Sequence, residues 1–189
     1  MIIAITGCIG SGKSYITSII QNHFGYDTFS CDTFTVNAYQ DEFVLKQLDK
    51  AFNCLIDGKV DKSIIKSKLN DDSIKILNSI IHPYVKNQIL KVKELYKDSL
   101  AFIEVPLLFE TNMDLLFDKS LVISVEDELR HQRLKNRNPN NYNEMIKLEK
   151  YQLSNEEKVK KADYVLHSVY DELDNIRQLS NIIKKIVKK

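Results

Sequence analysis

Three of the chain's five glycines, Gly7, Gly10 and Gly12, fall within six residues, and Lys13 and Ser14 follow at once. The run Gly7-Cys8-Ile9-Gly10-Ser11-Gly12-Lys13-Ser14 fits G-x-x-x-x-G-K-[ST] at every fixed position. Glycines let backbone N–H groups turn inward around an anion without Cβ clashes. A helix starting at Lys13 adds its unpaired amides and the positive end of its dipole. In this arrangement Lys13 reaches the β and γ phosphates of a nucleoside triphosphate, and the Ser14 hydroxyl is a ligand for Mg²⁺. The expected nucleotide-binding residues are Gly7 through Ser14 together with Tyr15 at the start of the helix. An apolar strand before the motif and a helical pattern after it supply the context that distinguishes it from a chance Gly-rich turn.

A second concentration is of arginine. The 27 basic residues comprise 23 lysines and 4 arginines, and Arg130, Arg133 and Arg137 share one eight-residue window. Where charge alone matters this chain uses lysine, whereas arginine offers a planar fork matched to phosphate or carboxylate. Arg133 and Arg137 are spaced i, i+4 and share one face of a helix, with Arg130 nearby. That face is either solvated or turned onto a triphosphate.

The elements that position these groups follow from short apolar runs alternating with helical patterns. Runs at residues 2–5, 27–31, 100–105, 121–125 and 164–166 read as buried strands. Their alternation with helices implies parallel pairing with right-handed crossovers, and so a three-layer α/β core around a five-stranded parallel sheet. The first crossover is brief, a helix over about 13–24. The second, from about 32 to 97, reads as helical almost throughout, with a turn at Asp57-Gly58 and Pro83 opening a helix. It is longer than a crossover requires, which suggests an inserted lobe over about 33–97. A polar helical stretch over about 126–158, broken at Asn138-Pro139-Asn140-Asn141, suggests a lid. The core is then about 1–32, 98–125 and 159–189, ending in an amphipathic helix from Asp171 to Lys189.

Composition bounds the class. The chain has 189 residues, 43% apolar content and a net charge of +1, which offers no bulk attraction to nucleic acid or an acidic membrane. No apolar run approaches the roughly 18 residues of a membrane span. The N-terminus has no basic lead-in or cleavage site, which argues against a signal peptide. Three scattered cysteines, Cys8, Cys31 and Cys54, fit neither a disulfide framework nor a zinc site, and point to a reducing cytoplasm. The D-x-x-G and N-K-x-D strings of switch GTPases do not occur. At this size a small-molecule kinase with an acceptor lobe and a lid is the expected class.

Several segments make that class specific. TGCIGSGKS, FSCDTFTVNAY, DGKVDK, IIHPYV, VPLLFE, RHQRLKNR, and Gln152 with EEKVKKADYVL run in order from residue 2 to about 168 and resemble the successive motifs of the dephospho-CoA kinase family. The resemblance implies a P-loop kinase fold. It also implies transfer of the γ-phosphate of ATP, with Mg²⁺, to the ribose 3′-hydroxyl of dephospho-CoA, the last step of coenzyme A synthesis. A monomer or small homo-oligomer is expected.

The resemblance also suggests roles. By position, Asp32 either caps the helix that follows or accepts the proton of the acceptor hydroxyl; the resemblance places the family's second aspartate here, as the base. With Lys13 it heads the expected catalytic set, and the resemblance adds Arg133 and Arg137. Arg130 sits where the family often has Gln and is left out. Glu104, ending the third main strand, either holds a water on Mg²⁺ or is a rim carboxylate with a local partner. Pro106, Leu107 and Leu108 are expected to wall the acceptor pocket, with Glu110 fixing that loop. His82 is either structural or near the acceptor, and Lys62 replaces the arginine of D-G-x-x-D/N-R. Other departures are Ser30 for the family's first aspartate, Cys8 for a loop glycine, which a negative φ tolerates, and His167 for Asn. Two other readings remain: a kinase of another small acceptor such as a nucleoside monophosphate, and a non-catalytic ATP-binding module.

Overall fold

The first strand, β1 (Ile2–Thr6), is apolar at four of five positions and buried at all five, the signature of a central strand in a parallel sheet covered on both faces. The computed structural model describes residues 1–137 and 139–188. After β1 come α1 (Lys13–Phe24), β2 (Asp27–Ser30), α2 (Cys31–Ala38) and α3 (Glu42–Phe52). A short hairpin, β3 (Leu55–Ile56) and β4 (Lys59–Val60), precedes α4 (Lys62–Ser67) and α5 (Asp71–Leu95). The chain continues through β5 (Ala101–Glu104), β6 (Lys119–Ser124), α6 (Asp127–Arg137), α7 (Tyr142–Lys147), α8 (Asn155–Lys161), β7 (Tyr164–His167) and α9 (Glu172–Val187), with 3₁₀ turns at Met113–Leu116, Pro139–Asn141 and Leu148–Tyr151.

Two compact units result: Met1–Phe29 with Tyr96–Lys189, and Ser30–Leu95. The first is built on the expected five-stranded parallel sheet, in the order β2-β5-β1-β6-β7. Strand order reverses at β1, so the loop that leaves its C-terminal end lies where open α/β sheets bind ligands. The register is informative: Ile5 pairs with Glu104 and with Leu121, and Ser124 pairs with His167. Ile3 and Ile5 face a core shared with Ile16 and Ile20 of α1 and Leu179, Ile183 and Ile186 of α9. Ile2, Ala4 and Ile103 point to the opposite face and are fully buried as well. Among the described residues no helix is long and apolar enough to cross a membrane.

The Ser30–Leu95 unit departs in two places from the expected crossover, helical almost throughout. Asp57-Gly58 does turn the chain, but it turns a two-stranded antiparallel hairpin in which Leu55 pairs with Val60. Pro83 does not open a helix; it lies inside the 25-residue α5. A proline there withholds one N–H from the carbonyl four residues back. The helix continues because its apolar stripe, with Ile80 and Ile81 before the proline and Val85, Ile89 and Val92 after it, is buried on both sides. Of the expected break at 138–141, Pro139–Asn141 form a 3₁₀ turn, and Asn138 lies outside the described residues, as does Lys189.

Candidate active site

The phosphate loop bends sharply as it leaves β1. Gly7 has φ +156°, and a Cβ there would lie 2.5 Å from the Ile123 carbonyl oxygen and 2.6 Å from Ser11 Oγ. Any side chain at this position would displace the backbone of β6. Ser11 N–H closes a turn onto Cys8 O at 3.1 Å, and Ile16 N–H opens the α1 ladder onto Gly12 O at 3.0 Å. The amides ahead of Ile16 have no partner within α1, which is what an anion at a helix N-terminus uses. Lys13 Nζ donates to Gly7 O at 3.0 Å and to Cys8 O at 3.2 Å, so its charge is held at the loop itself. Cys8 keeps an ordinary φ, since the described non-glycine residues at positive φ are Asn53, Asp57 and Asn112. Its thiol contacts Leu153 O at 3.8 Å, and burial pushes its pKa up despite the cations of Lys158, Arg130 and Lys13. Tyr15 lies on the first turn of α1 and donates its hydroxyl to Glu172 at 2.9 Å; burial, then that hydrogen bond, raises its pKa.

Glu104 ends β5 and, by its register with Ile5, arrives at the level of the loop. Its Oε1 accepts from Ser14 Oγ at 3.3 Å, and the residue is buried. Two hard oxygen donors at the mouth of a phosphate loop fit Mg²⁺, which is usually held by one or two protein oxygens together with phosphates and waters. Among the described residues no group of three or more His, Cys, Asp or Glu forms a self-sufficient metal cage.

The helical segment after β6 closes on the same loop. Gly10 lies under it: a Cβ there would meet Leu134 Cγ at 2.7 Å and Arg130 Cγ at 3.1 Å. Arg133 donates to Ser11 O at 3.4 Å, to Ser168 Oγ at 3.1 Å and to Val169 O at 3.1 Å, with its guanidinium 5.3 Å from the Tyr170 ring centroid. Arg130 is buried. Its fork is satisfied by Asp127 at 2.9 Å, by Glu149, and by Ile9 O at 3.3 Å. Burial opposes its charge, but the two carboxylates outweigh that and raise its pKa. Arg137, the last residue of α6, is exposed and makes none of these loop contacts. The arginine window therefore divides into a buried anchor, Arg130, a loop-facing fork, Arg133, and an exposed end, Arg137.

Two supports around the loop were not singled out from the sequence as site residues. Gln152 Oε1 accepts from Ile9 N–H at 2.9 Å. Asn175 brackets Val169, accepting from its N–H at 3.2 Å and donating to its carbonyl at 2.9 Å, so the segment that Arg133 grips is itself fixed. Gln152 joins a residue far away in sequence, where no spacing rule applies, whereas Asn175 reaches six residues back across the turn between β7 and α9. Glu110 does fix its loop: Oε1 accepts from Lys158 Nζ at 2.6 Å and from Leu153 N–H at 2.8 Å, and Lys158 is fully buried. Of the three residues expected at the acceptor pocket, Leu107 is exposed, Pro106 half-buried and Leu108 fully buried. His167 is exposed on β7, with its backbone N–H and carbonyl bracketed by the Gln178 side chain at 3.0 and 2.9 Å.

Asp32, Lys62 and His82 belong to the Ser30–Leu95 unit. Asp32 is not the helix cap. Ser30 caps α2, its Oγ accepting from Asp32 N–H at 3.2 Å, so the exposed Asp32 carboxylate is not engaged in capping. Ser30, which departs from the family pattern, thus has a local structural task that serine performs well. Lys62 opens α4 behind the Asp61 cap, with Nζ 4.6 Å from the Tyr39 ring centroid. His82 is half-buried on α5; burial, then the charge of Lys86, lowers its pKa and favours a neutral imidazole at pH 7.

Comparison with known proteins shows the family and the fold. The family model described as dephospho-CoA kinase matches residues 1–171. A dephospho-CoA kinase of Fusobacterium nucleatum is 33% identical, over 98% of this chain and 95% of its own length. A solved structure from Thermus thermophilus superposes with a TM-score of 0.85 at 26% identity, covering 98% of this chain and 96% of that one. The structure of dephospho-CoA kinase from Campylobacter jejuni gives a TM-score of 0.72, also at 26% identity, covering 99% and 97%. From the phosphate loop to the segment that ends beyond β7, in motif order, in sheet topology and in overall match, the chain belongs to the dephospho-CoA kinase family.

Proposed function

We propose that the protein transfers the γ-phosphate of ATP to the ribose 3′-hydroxyl of dephospho-CoA, forming coenzyme A and ADP. The observation that carries this reading is the convergence of Lys13, the Ser14–Glu104 pair and Arg133 on one phosphate loop, in a chain of this family. The loop amides and Lys13 bind the triphosphate. Ser14, with Glu104 beside it, would hold Mg²⁺, which would supply charge neutralisation at the phosphates. Arg133 adds a fixed fork where negative charge is transferred.

Asp32 is the base. The acceptor oxygen forms a bond to the γ phosphorus, the bond from that phosphorus to the bridging oxygen of ADP breaks, and the hydroxyl proton passes to the Asp32 carboxylate. Residues from about 33 to 97 make up the acceptor lobe, with Lys62 for an acceptor phosphate and His82 near the acceptor, and residues from about 126 to 158 make up the lid. Arg137 is assigned to the closed lid, and Pro106, Leu107 and Leu108 to the acceptor side. Closure excludes water, the competing acceptor. Three free cysteines, all buried, support a reducing cytoplasm as the site of the reaction.

The test is to incubate the purified protein with ATP, Mg²⁺ and a panel of acceptors, identifying the product by mass. Coenzyme A formed from dephospho-CoA, with nucleoside monophosphates untouched, is the expected result. Phosphorylation of a nucleoside monophosphate instead would transfer the assignment to another acceptor, and ATP binding without any transfer would leave a binding module.

A further inference from the structure

Both peptide groups of Ile9, at the crest of the phosphate loop, are held by side chains of the lid. Its N–H donates to Gln152 Oε1 at 2.9 Å, and its carbonyl accepts from Arg130 Nη1 at 3.3 Å. The two holders are joined to each other. Arg130 pairs with Glu149, and Gln152 N–H donates to Glu149 O at 2.8 Å. On either side of Ile9 the lid also touches the loop, with Leu153 O at the Cys8 thiol and Leu134 packed over Gly10. A stretch with three glycines in six residues has little intrinsic preference for one conformation. Its shape is set by what it is bonded to, and on this side it is bonded to the lid.

We propose that Gln152 and Arg130 form a clasp through which the lid sets the conformation of the phosphate loop, with Gln152 a positioning residue for phosphoryl transfer. The proposal rests on the kinase reading above. Gln152 acts through the Ile9 amide and touches no reacting atom. Losing its acceptor leaves a half-buried N–H unpaired and a glycine-rich loop to be ordered by the nucleotide itself. The effect belongs to ATP and not to the acceptor.

The test compares Gln152→Met, which keeps the length of the side chain and removes the acceptor, with Gln152→Glu, which keeps an acceptor oxygen. Kinetics are measured with each substrate varied, alongside the thermal midpoint and the affinity for a fluorescent ATP analogue. Gln152→Met is expected to lower kcat/KM for ATP by about 10- to 100-fold, with KM for dephospho-CoA changed less than about twofold and the midpoint preserved. Gln152→Glu is expected to recover most of the loss. Unchanged kcat/KM for ATP in Gln152→Met, an equal loss in both variants, or a loss that tracks a falling midpoint overturns the clasp. If the wild type transfers nothing to dephospho-CoA, the kinase reading fails by itself. The clasp is then judged on analogue affinity, where weaker binding by Gln152→Met supports it and equal binding overturns it.

Discussion

Glu104 meets Ser14 because β1 and β5 pair in a register that sets Ile5 beside Glu104, bringing a strand-end carboxylate to the first turn of α1. In the proposed reaction this carboxylate would orient a water on Mg²⁺ without binding the ion itself. Glu104→Gln keeps the size and the hydrogen bond to Ser14 but removes the charge. It is expected to lower kcat by about 10- to 100-fold and to raise the Mg²⁺ concentration needed for half-maximal turnover, as changes behind a metal's direct ligands usually do. A Mg²⁺ titration of ADP formation checks this; an unchanged titration would reduce Glu104 to a rim carboxylate. At this scale the sequence shows most where chemistry is local. Lys13 and Ser14 are legible from spacing alone, because phosphate binding at a helix start needs contiguous residues. Gln152 is not, because its partner Ile9 is 143 positions away. Position alone leaves Asp32 either a helix cap or a base, and Ser30 two residues earlier takes the capping task.

Among the elements, α6 sets Arg133 against the phosphate loop. Arg133 spans Ser11 O, Ser168 Oγ and Val169 O with one planar fork. Lysine, a point charge on a flexible stem, cannot span all three. Arg133→Met is expected to lower kcat by roughly 10³-fold, the lower end for arginines that stabilise phosphoryl transfer, and Arg133→Lys to recover little of it. Steady-state kinetics of both variants decide, and full recovery by lysine would show that charge alone matters. The β6–β7 pair illustrates a motif with a structural meaning. Asp163, in the A-D-x-V run, accepts from Lys119 Nζ at 2.7 Å, from Ser120 N–H at 2.9 Å and from Ser120 Oγ at 3.0 Å, and so pins one strand to the other. Burial pushes its pKa up, but Lys119 and Ser120 outweigh that and hold it below the usual carboxylate range. The folded pKa is thus depressed, so the stabilisation is complete above the unfolded value of about 3.9 and is lost as pH falls through the lower folded value. Asp163→Asn should lower the thermal midpoint at pH 7, with the gap to wild type narrowing towards pH 3. A gap that stays constant with pH would contradict the assignment. Strand and helix order was legible from alternating apolar runs. The β3–β4 hairpin was not, because strands of two residues carry no period, and Pro83 misled because burial on both sides of it overrides local helix preference.

For the molecule as a whole, the two compact units divide the residues of the proposed reaction. Met1–Phe29 with Tyr96–Lys189 carries the phosphate loop, Glu104 and the arginines, whereas Ser30–Leu95 carries Asp32, Lys62 and His82. Triphosphate binding and acceptor activation should therefore be separable by substitution. The measurement that addresses this most directly is Asp32→Asn, assayed for acceptor-dependent ADP formation and for affinity towards a fluorescent ATP analogue. Transfer to dephospho-CoA is expected to fall by about 10²- to 10⁴-fold, the usual contribution of a positioned general base, with analogue affinity unchanged. Transfer at a rate near that of the wild type would contradict the account.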